Sequence, residues 1–192
     1  MGNLMVVTGG MYAGKTEWLY NLVRDFDKRE YRYLILTPGI NRGRGKDEVI
    51  QRDKNYKYTL LDTIANYDDG TKVDFSKINY LIIDEGNFYE GSRVSHTIQK
   101  LLLTTDLEII VSGLQINRFG KPYNSFMTWC LHNADKILVL HSKCDICGSP
   151  GFSSVIVGDD SGELNVVETG EVKYIPVCRK CHAKLNKKGA KS

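Results

Sequence analysis

A parallel α/β sheet with helices on both faces, followed by a small β-rich module clipped by cysteines, is the fold class that the sequence predicts. Three observations point to it. Five apolar runs, at residues 4–7, 33–36, 80–83, 107–111 and 137–140, lack the polar alternation of a half-exposed strand. Segments with helical periodicity separate them, and strand and helix alternate to roughly residue 140. After Lys143 the chain turns to short β-branched segments bracketed by two C-x-x-C pairs.

The elements follow in order. Leu4 to Val7 forms the first strand and runs into a glycine-rich turn. From Thr16 to Arg29, Leu19, Leu22, Val23 and Phe26 recur at helical spacing with charged residues opposite, which predicts an amphipathic helix. Tyr33 to Leu36 forms the next strand. The stretch 39–53, rich in Gly, Arg, Lys and Asp and without periodicity, reads as a loop. A second helix, around Val94 to Leu103, separates the strand at 80–83 from that at 107–111. Beyond residue 143, strands are expected at 155–157, 164–167 and 172–177, separated by Gly-Asp-Asp-Ser-Gly and Thr-Gly-Glu turns. This divides the chain into a sheet domain over 1–142, a β-rich module over 143–185 and a basic, unstructured tail over 186–192.

Composition narrows the function classes. With 192 residues, 42% of them hydrophobic, the chain can bury one core and a small satellite without disulfide support. The net charge of +3 balances 26 basic against 23 acidic residues, a mixed surface rather than a nucleic-acid face. No apolar run is long enough to cross a membrane. The N-terminus enters a strand with no basic region or cleavage site, and Val6 stands where a myristoylation signal needs Ser or Thr. A cytoplasmic protein without nucleic-acid or membrane partners is the expectation.

The chemistry concentrates in three places. Gly9, Gly10, Met11, Tyr12, Ala13, Gly14, Lys15 and Thr16 fit G-x-x-x-x-G-K-[ST] between a buried strand and an amphipathic helix. Such a loop turns backbone N–H groups inward around phosphate oxygens, with Lys15 reaching the β and γ phosphates of ATP and the Thr16 hydroxyl meeting Mg²⁺. The strand 80–83 ends in Asp84 and Glu85. Asp84 suits the metal ion. Glu85 is then free either to polarise a water or to accept the proton of an acceptor hydroxyl.

Cys144, Cys147, Cys178 and Cys181 form two thiolate pairs able to hold a structural Zn²⁺, with residues 148–177 looped out between them. His182 adjoins the last cysteine and is an alternative fourth ligand. Cys130 lies in an apolar stretch as a core thiol.

The order of these elements resembles that of the zinc-containing thymidine kinases. The resemblance runs from Gly9 through Cys181. It is carried by Gly9 to Thr16 with Met11, by Asp84-Glu85-Gly86-Asn87-Phe88, and by Lys173-Tyr174 with Val177-Cys178-Arg179-Lys180-Cys181. It implies a RecA-like sheet with a zinc-anchored lasso, assembled as a homotetramer, that transfers the ATP γ-phosphate to the 5′-hydroxyl of thymidine and is restrained by thymidine triphosphate. On the same basis Glu85 would be the general base and Asp84 the magnesium acid. Arg42 would stand near the phosphates. Met11, Phe88, Leu114, Ser154, Val167 and Tyr174 would line the nucleoside site.

The chain departs from the family pattern at Gln115 to Phe119, where an acidic residue is absent and an aromatic and an arginine are exchanged. It departs also at Asn87, where glutamine is usual, and at Thr169, which replaces a glycine. The altered Gln115 to Phe119 stretch leaves open a kinase for another deoxynucleoside, and a separate reading from a different class is a P-loop ATPase or switch whose zinc ribbon grips nucleic acid or a protein.

Overall fold

The computed structural model describes residues 1–37, 58–60, 75–89, 92–157 and 173–189. Six strands form one parallel sheet: β1 (Asn3–Gly9), β2 (Tyr33–Thr37), β3 (Tyr58–Leu60), β4 (Tyr80–Ile83), β5 (Glu108–Gly113) and β6 (Lys136–Leu140). Their order is β3-β2-β4-β5-β1-β6, every pairing is parallel, and β5 stands between β4 and β1.

Period-two alternation distributes the strand side chains between two cores. On one face Leu4, Val6, Leu81, Ile83, Ile109 and Val111 pack with α2 (Ser92–Thr104) and α3 (Ser125–Asn133). On the other, Val7, Ile35, Ile82 and Ile110 meet Leu19, Val23 and Phe26 of α1 (Lys15–Lys28). Helices therefore cover both faces, as the uninterrupted apolar runs of the central strands require.

The last strand differs from its expectation. Ile137 and Val139 are 46% and 41% exposed. β6 pairs only with β1 at the edge of the sheet, and among the described residues no helix covers the face that carries these two side chains. The sequence also gave no sign of β3, whose three residues are too few to establish a period. Nor did it reveal α3, a nine-residue helix too short to establish a clear period, whose Phe126, Met127 and Cys130 are buried.

Beyond the sheet, β7 (Ser153–Val157) and β8 (Lys173–Val177) pair antiparallel, and α4 (Arg179–Gly189) follows directly. The helical backbone thus continues into the segment expected to be an unstructured tail. Ala, Lys and Leu are strong helix formers, and the buried Cys181 and His182 anchor the first turn. The expected loop 39–53, the expected strand 164–167, and Thr169 lie outside the described residues. Among the described residues, no helix is long and apolar enough to cross a membrane.

Candidate active site

β1 ends at Gly9, whose φ of 150° is open to glycine, and a Cβ there would strike the Leu140 carbonyl oxygen on β6. Thr8 Oγ1 donates to the Gly113 carbonyl at 2.9 Å, tying the ends of β1 and β5 together just before the turn. The loop then passes Tyr12 at φ 59° and Gly14 at φ 82°, and α1 begins at Lys15, with Trp18 N donating to the Gly14 carbonyl at 2.8 Å. Lys15 Nζ donates to the Gly10 carbonyl at 2.7 Å, which folds the side chain back over the loop it would serve. Thr16, on the first turn of α1, is exposed.

Across β5, β4 delivers the two carboxylates. Glu85 sits at φ 54° in the left-handed region, and its amide donates to Asp84 Oδ1 at 2.9 Å. A non-glycine residue in this conformation is uncommon and collects at functional sites. Among the described residues only Tyr12, Glu30 and Glu85 adopt it, and two of the three belong to this site. Burial pushes the Asp84 carboxyl up to about 6, with repulsion from Glu85 adding to the rise, while the Glu85 amide, the Ser112 hydroxyl and the Lys15 ammonium pull it back. The strand order explains why these groups meet. Ser112, near the end of β5, lies between the strand that carries the loop and the strand that carries the acids.

The turn after Glu85 is held from several sides. Asn87 is buried, and its Oδ1 accepts from Leu114 N at 3.0 Å. Asn124 Nδ2 lies within 3.4 Å of the Gly86 carbonyl, 3.0 Å of that of Asn87 and 2.7 Å of that of Tyr89. Its Oδ1 caps α3 by accepting from Met127 N at 2.8 Å. Phe88 meets Tyr123 edge to face, with centroids 6.4 Å apart.

Sequence reasoning missed Ser112, Tyr123 and Asn124. Only the last carried a readable signal, as an Asn preceding an apolar helix.

The β7–β8 module closes on the same region. Ser154 Oγ accepts from the Met11 amide at 3.3 Å. Tyr174, in register with Ile156, borders a cavity of about 540 Å³ together with Tyr12, Ser142, Lys143 and Lys173. Phe88 and Leu114 stand apart from that cavity, on the Asn87 side of the site. Arg42 and Val167 lie outside the described residues.

At the base of the module the sulfurs of Cys144, Cys147, Cys178 and Cys181 all lie within 4.8 Å of one another. Ligands at about 2.3 Å from a tetrahedral zinc stand about 3.8 Å apart, so the donor set and its spacing fit that ion. The Ser149 hydroxyl and amide pull the Cys147 thiol down to about 6. Burial and the neighbouring sulfurs push Cys181 up to about 12, a crowding of thiols that a dication would relieve. His182 Nε2 is instead engaged by the Arg118 carbonyl at 2.9 Å, and the four-sulfur cluster is complete without it. Cys130 is a fully buried core thiol whose pKa burial raises to about 12.

Known proteins resemble this chain along nearly its whole length. The family described as "Thymidine kinase" matches residues 2–182. A thymidine kinase of Aster yellows witches'-broom phytoplasma is 31% identical over 186 residues, covering 94% of this chain and 87% of that one. One from Pseudothermotoga lettingae is 27% identical over 191 residues, covering 97% and 98%. One from Bacteroides thetaiotaomicron is 26% identical over 182 residues, covering 94% and 87%.

Proposed function

Since the chain belongs to the thymidine kinase family, we propose that Glu85 takes the proton from the 5′-hydroxyl of thymidine while the Gly9–Thr16 loop holds the phosphates of ATP. The reaction is transfer of the γ-phosphoryl group to that hydroxyl. What supports this assignment of roles is the placement of Asp84 beside Glu85 at the end of β4 and, across β5, within electrostatic reach of Lys15 at the start of α1. It gives Asp84 the place beside the Lys15 charge that suits a cation, and leaves the base role to Glu85.

The loop amides and the N-terminus of α1 stabilise phosphate charge, and Lys15 must leave the Gly10 carbonyl to reach the bridging and terminal oxygens. Asp84 and Thr16 would hold Mg²⁺, which supplies neutralisation of charge on the transferring phosphoryl group. Glu85 needs only to orient the acceptor and receive its proton as the oxygen attacks in line. Its left-handed backbone, clamped through Asn124, fixes the carboxylate direction before substrate arrives. Met11, Phe88 and Leu114 border the acceptor side, with Ser154 and Tyr174 contributed by the β7–β8 module. Arg42 and Val167, outside the described residues, are assigned to the phosphates and the nucleoside by the family resemblance alone. Cys144, Cys147, Cys178 and Cys181 would hold a structural zinc that clips the base of this module. The assembly is a homotetramer acting in the cytoplasm on a small-molecule substrate.

The test is γ-phosphate transfer from ATP with Mg²⁺ to thymidine, deoxyuridine, deoxycytidine and deoxyguanosine. Phosphorylation of thymidine above the other three supports the reading. ATP hydrolysis with no nucleoside product would replace it with an ATPase.

A further inference from the structure

Residues 115–123 form a small hairpin between the acceptor side of the site and the cysteine cluster. Tyr123 N donates to the Gln115 carbonyl at 3.1 Å across its base, and Ile116 bridges Pro122. Asn117 organises its tip: the Oδ1 accepts from Phe119 N at 3.0 Å and from Lys121 N at 3.1 Å. One end of the hairpin continues from Leu114, whose amide is held by Asn87, and the other delivers Tyr123 against Phe88.

The far side of the hairpin rests on the cysteine module through two side chains. Ser153 Oγ donates to the Asn117 carbonyl at 3.1 Å. His182, 7% exposed and next in sequence to Cys181, brings Nε2 to 2.9 Å from the Arg118 carbonyl. A carbonyl only accepts, so Nε2 carries the proton. The ring is held by Phe152, edge to face at 6.4 Å, which in turn lies under the Arg179 guanidinium at 3.8 Å. Gly120, at φ 78°, lets the hairpin approach this closely, because a Cβ there would stand 3.0 Å from His182 Cε1.

We propose that His182 is a positioning residue that transmits the rigidity of the cysteine cluster to the 115–123 hairpin, and thereby sets the affinity for the nucleoside without touching it. The cluster fixes the start of α4, α4 fixes His182, and His182 with Ser153 holds the hairpin whose two ends carry Leu114 and Tyr123. The phosphate loop is tied to β5 through Thr8 and runs into α1, and it meets the module at Ser154 on β7 rather than at His182. A fault at His182 is therefore expected to act on the acceptor and spare the donor. The kinetic part of the proposal rests on the thymidine kinase reading.

The test compares His182→Leu, His182→Gln and Gly120→Val in the full chain. Removing the donor while leaving the buried Arg118 carbonyl in place raises KM for thymidine about tenfold, the size of one such unmade hydrogen bond, with KM for ATP changed less than about twofold. Zinc content per chain stays at the parent value. Amides of 115–123 exchange faster while those of α1 do not. His182→Gln, whose amide nitrogen can reach the same carbonyl, recovers most of the loss. Gly120→Val, which strains the hairpin at φ 78° and pushes on the His182 ring without substituting any residue of the module, reproduces the KM signature.

Equal rises in both KM values, zinc loss from His182→Leu, or unchanged exchange at 115–123 would each overturn the proposal. A parent chain that leaves thymidine unphosphorylated would remove the proposed function instead, and hydrogen exchange alone would then decide the role of His182.

Discussion

The Met11 amide donates to Ser154 Oγ at 3.3 Å, joining two residues separated by 143 positions and bringing the phosphate loop into contact with the β7–β8 module. Ser154→Ala removes the acceptor and leaves a part-buried amide unmet, worth about 1 kcal/mol. The expected result is a rise of about fivefold in KM for thymidine with kcat within twofold. Ser154→Thr keeps the hydroxyl and stays near the parent. Steady-state kinetics on the three proteins checks both outcomes.

Glu85→Gln retains the shape of the side chain and loses its basicity. A fall in kcat of about 10²–10⁴-fold is expected, with ATP affinity changed less than about twofold. Calorimetric titration of ATP beside the rate measurement separates the two. A kcat within a few-fold of the parent would assign proton acceptance elsewhere.

Asp84 gives a pH-dependent stability effect of definite sign. Its pKa in the fold is raised from 3.8 to about 6, so the ionised carboxylate is disfavoured in the metal-free protein. That penalty is fully present above about pH 6, and it vanishes as pH falls toward 4, where the folded and unfolded states are both protonated. Asp84→Asn therefore stabilises the metal-free protein at pH 8 by on the order of 2–3 kcal/mol, and by little near pH 4. Thermal unfolding at the two pH values tests this. The same variant is expected to lose Mg²⁺-dependent transfer, a stability gain at the cost of function.

Asn124 spans α3 and the turn that carries Glu85. Asn124→Ala deletes a helix cap and the clamp on the Gly86, Asn87 and Tyr89 carbonyls, a loss of about 2–4 kcal/mol. At roughly 2–4 °C per kcal/mol for a chain of this size, Tm should fall by about 5–15 °C. At temperatures where the variant remains folded, kcat should fall more than ATP affinity, because the backbone that aims Glu85 is freed.

Removal of zinc, or Cys178→Ser, is expected to loosen β7, β8 and α4 while the parallel sheet persists. Hydrogen exchange should rise in residues 144–157 and 173–185, with protection in β1, β4 and β5 retained. Thymidine phosphorylation should fall in parallel with zinc content. Loss of protection throughout the sheet would show instead that the cluster supports the whole fold.

Much of the fold and half of the site were readable from the sequence because the information was local. A strand buried on both faces needs a continuous apolar run, and residues 4–7 and 80–83 supply it. A phosphate loop needs glycines, a lysine and a hydroxyl at fixed spacing between strand and helix, and Gly9 to Thr16 provide them. Thiolate pairs that bite one metal ion need only two intervening residues, as at Cys144 and Cys178. The roles proposed for Asp84 and Glu85 likewise start from their place at a strand end.

Tertiary structure alone decided which groups the local patterns would meet. The order of strands puts β5, and so Ser112, between the loop and the acids, and it leaves β6 at an edge where an apolar run is half exposed. Asn124 is a cap by its sequence, yet its grip on three carbonyls of the Glu85 turn depends on α3 packing beside that turn. Ser154 on Met11 and His182 on Arg118 join residues 143 and 64 positions apart. Nothing in the period or spacing of a segment encodes such contacts, because hydrogen bonds of this kind are selected by the packing of whole elements and not by the propensities of the residues that make them.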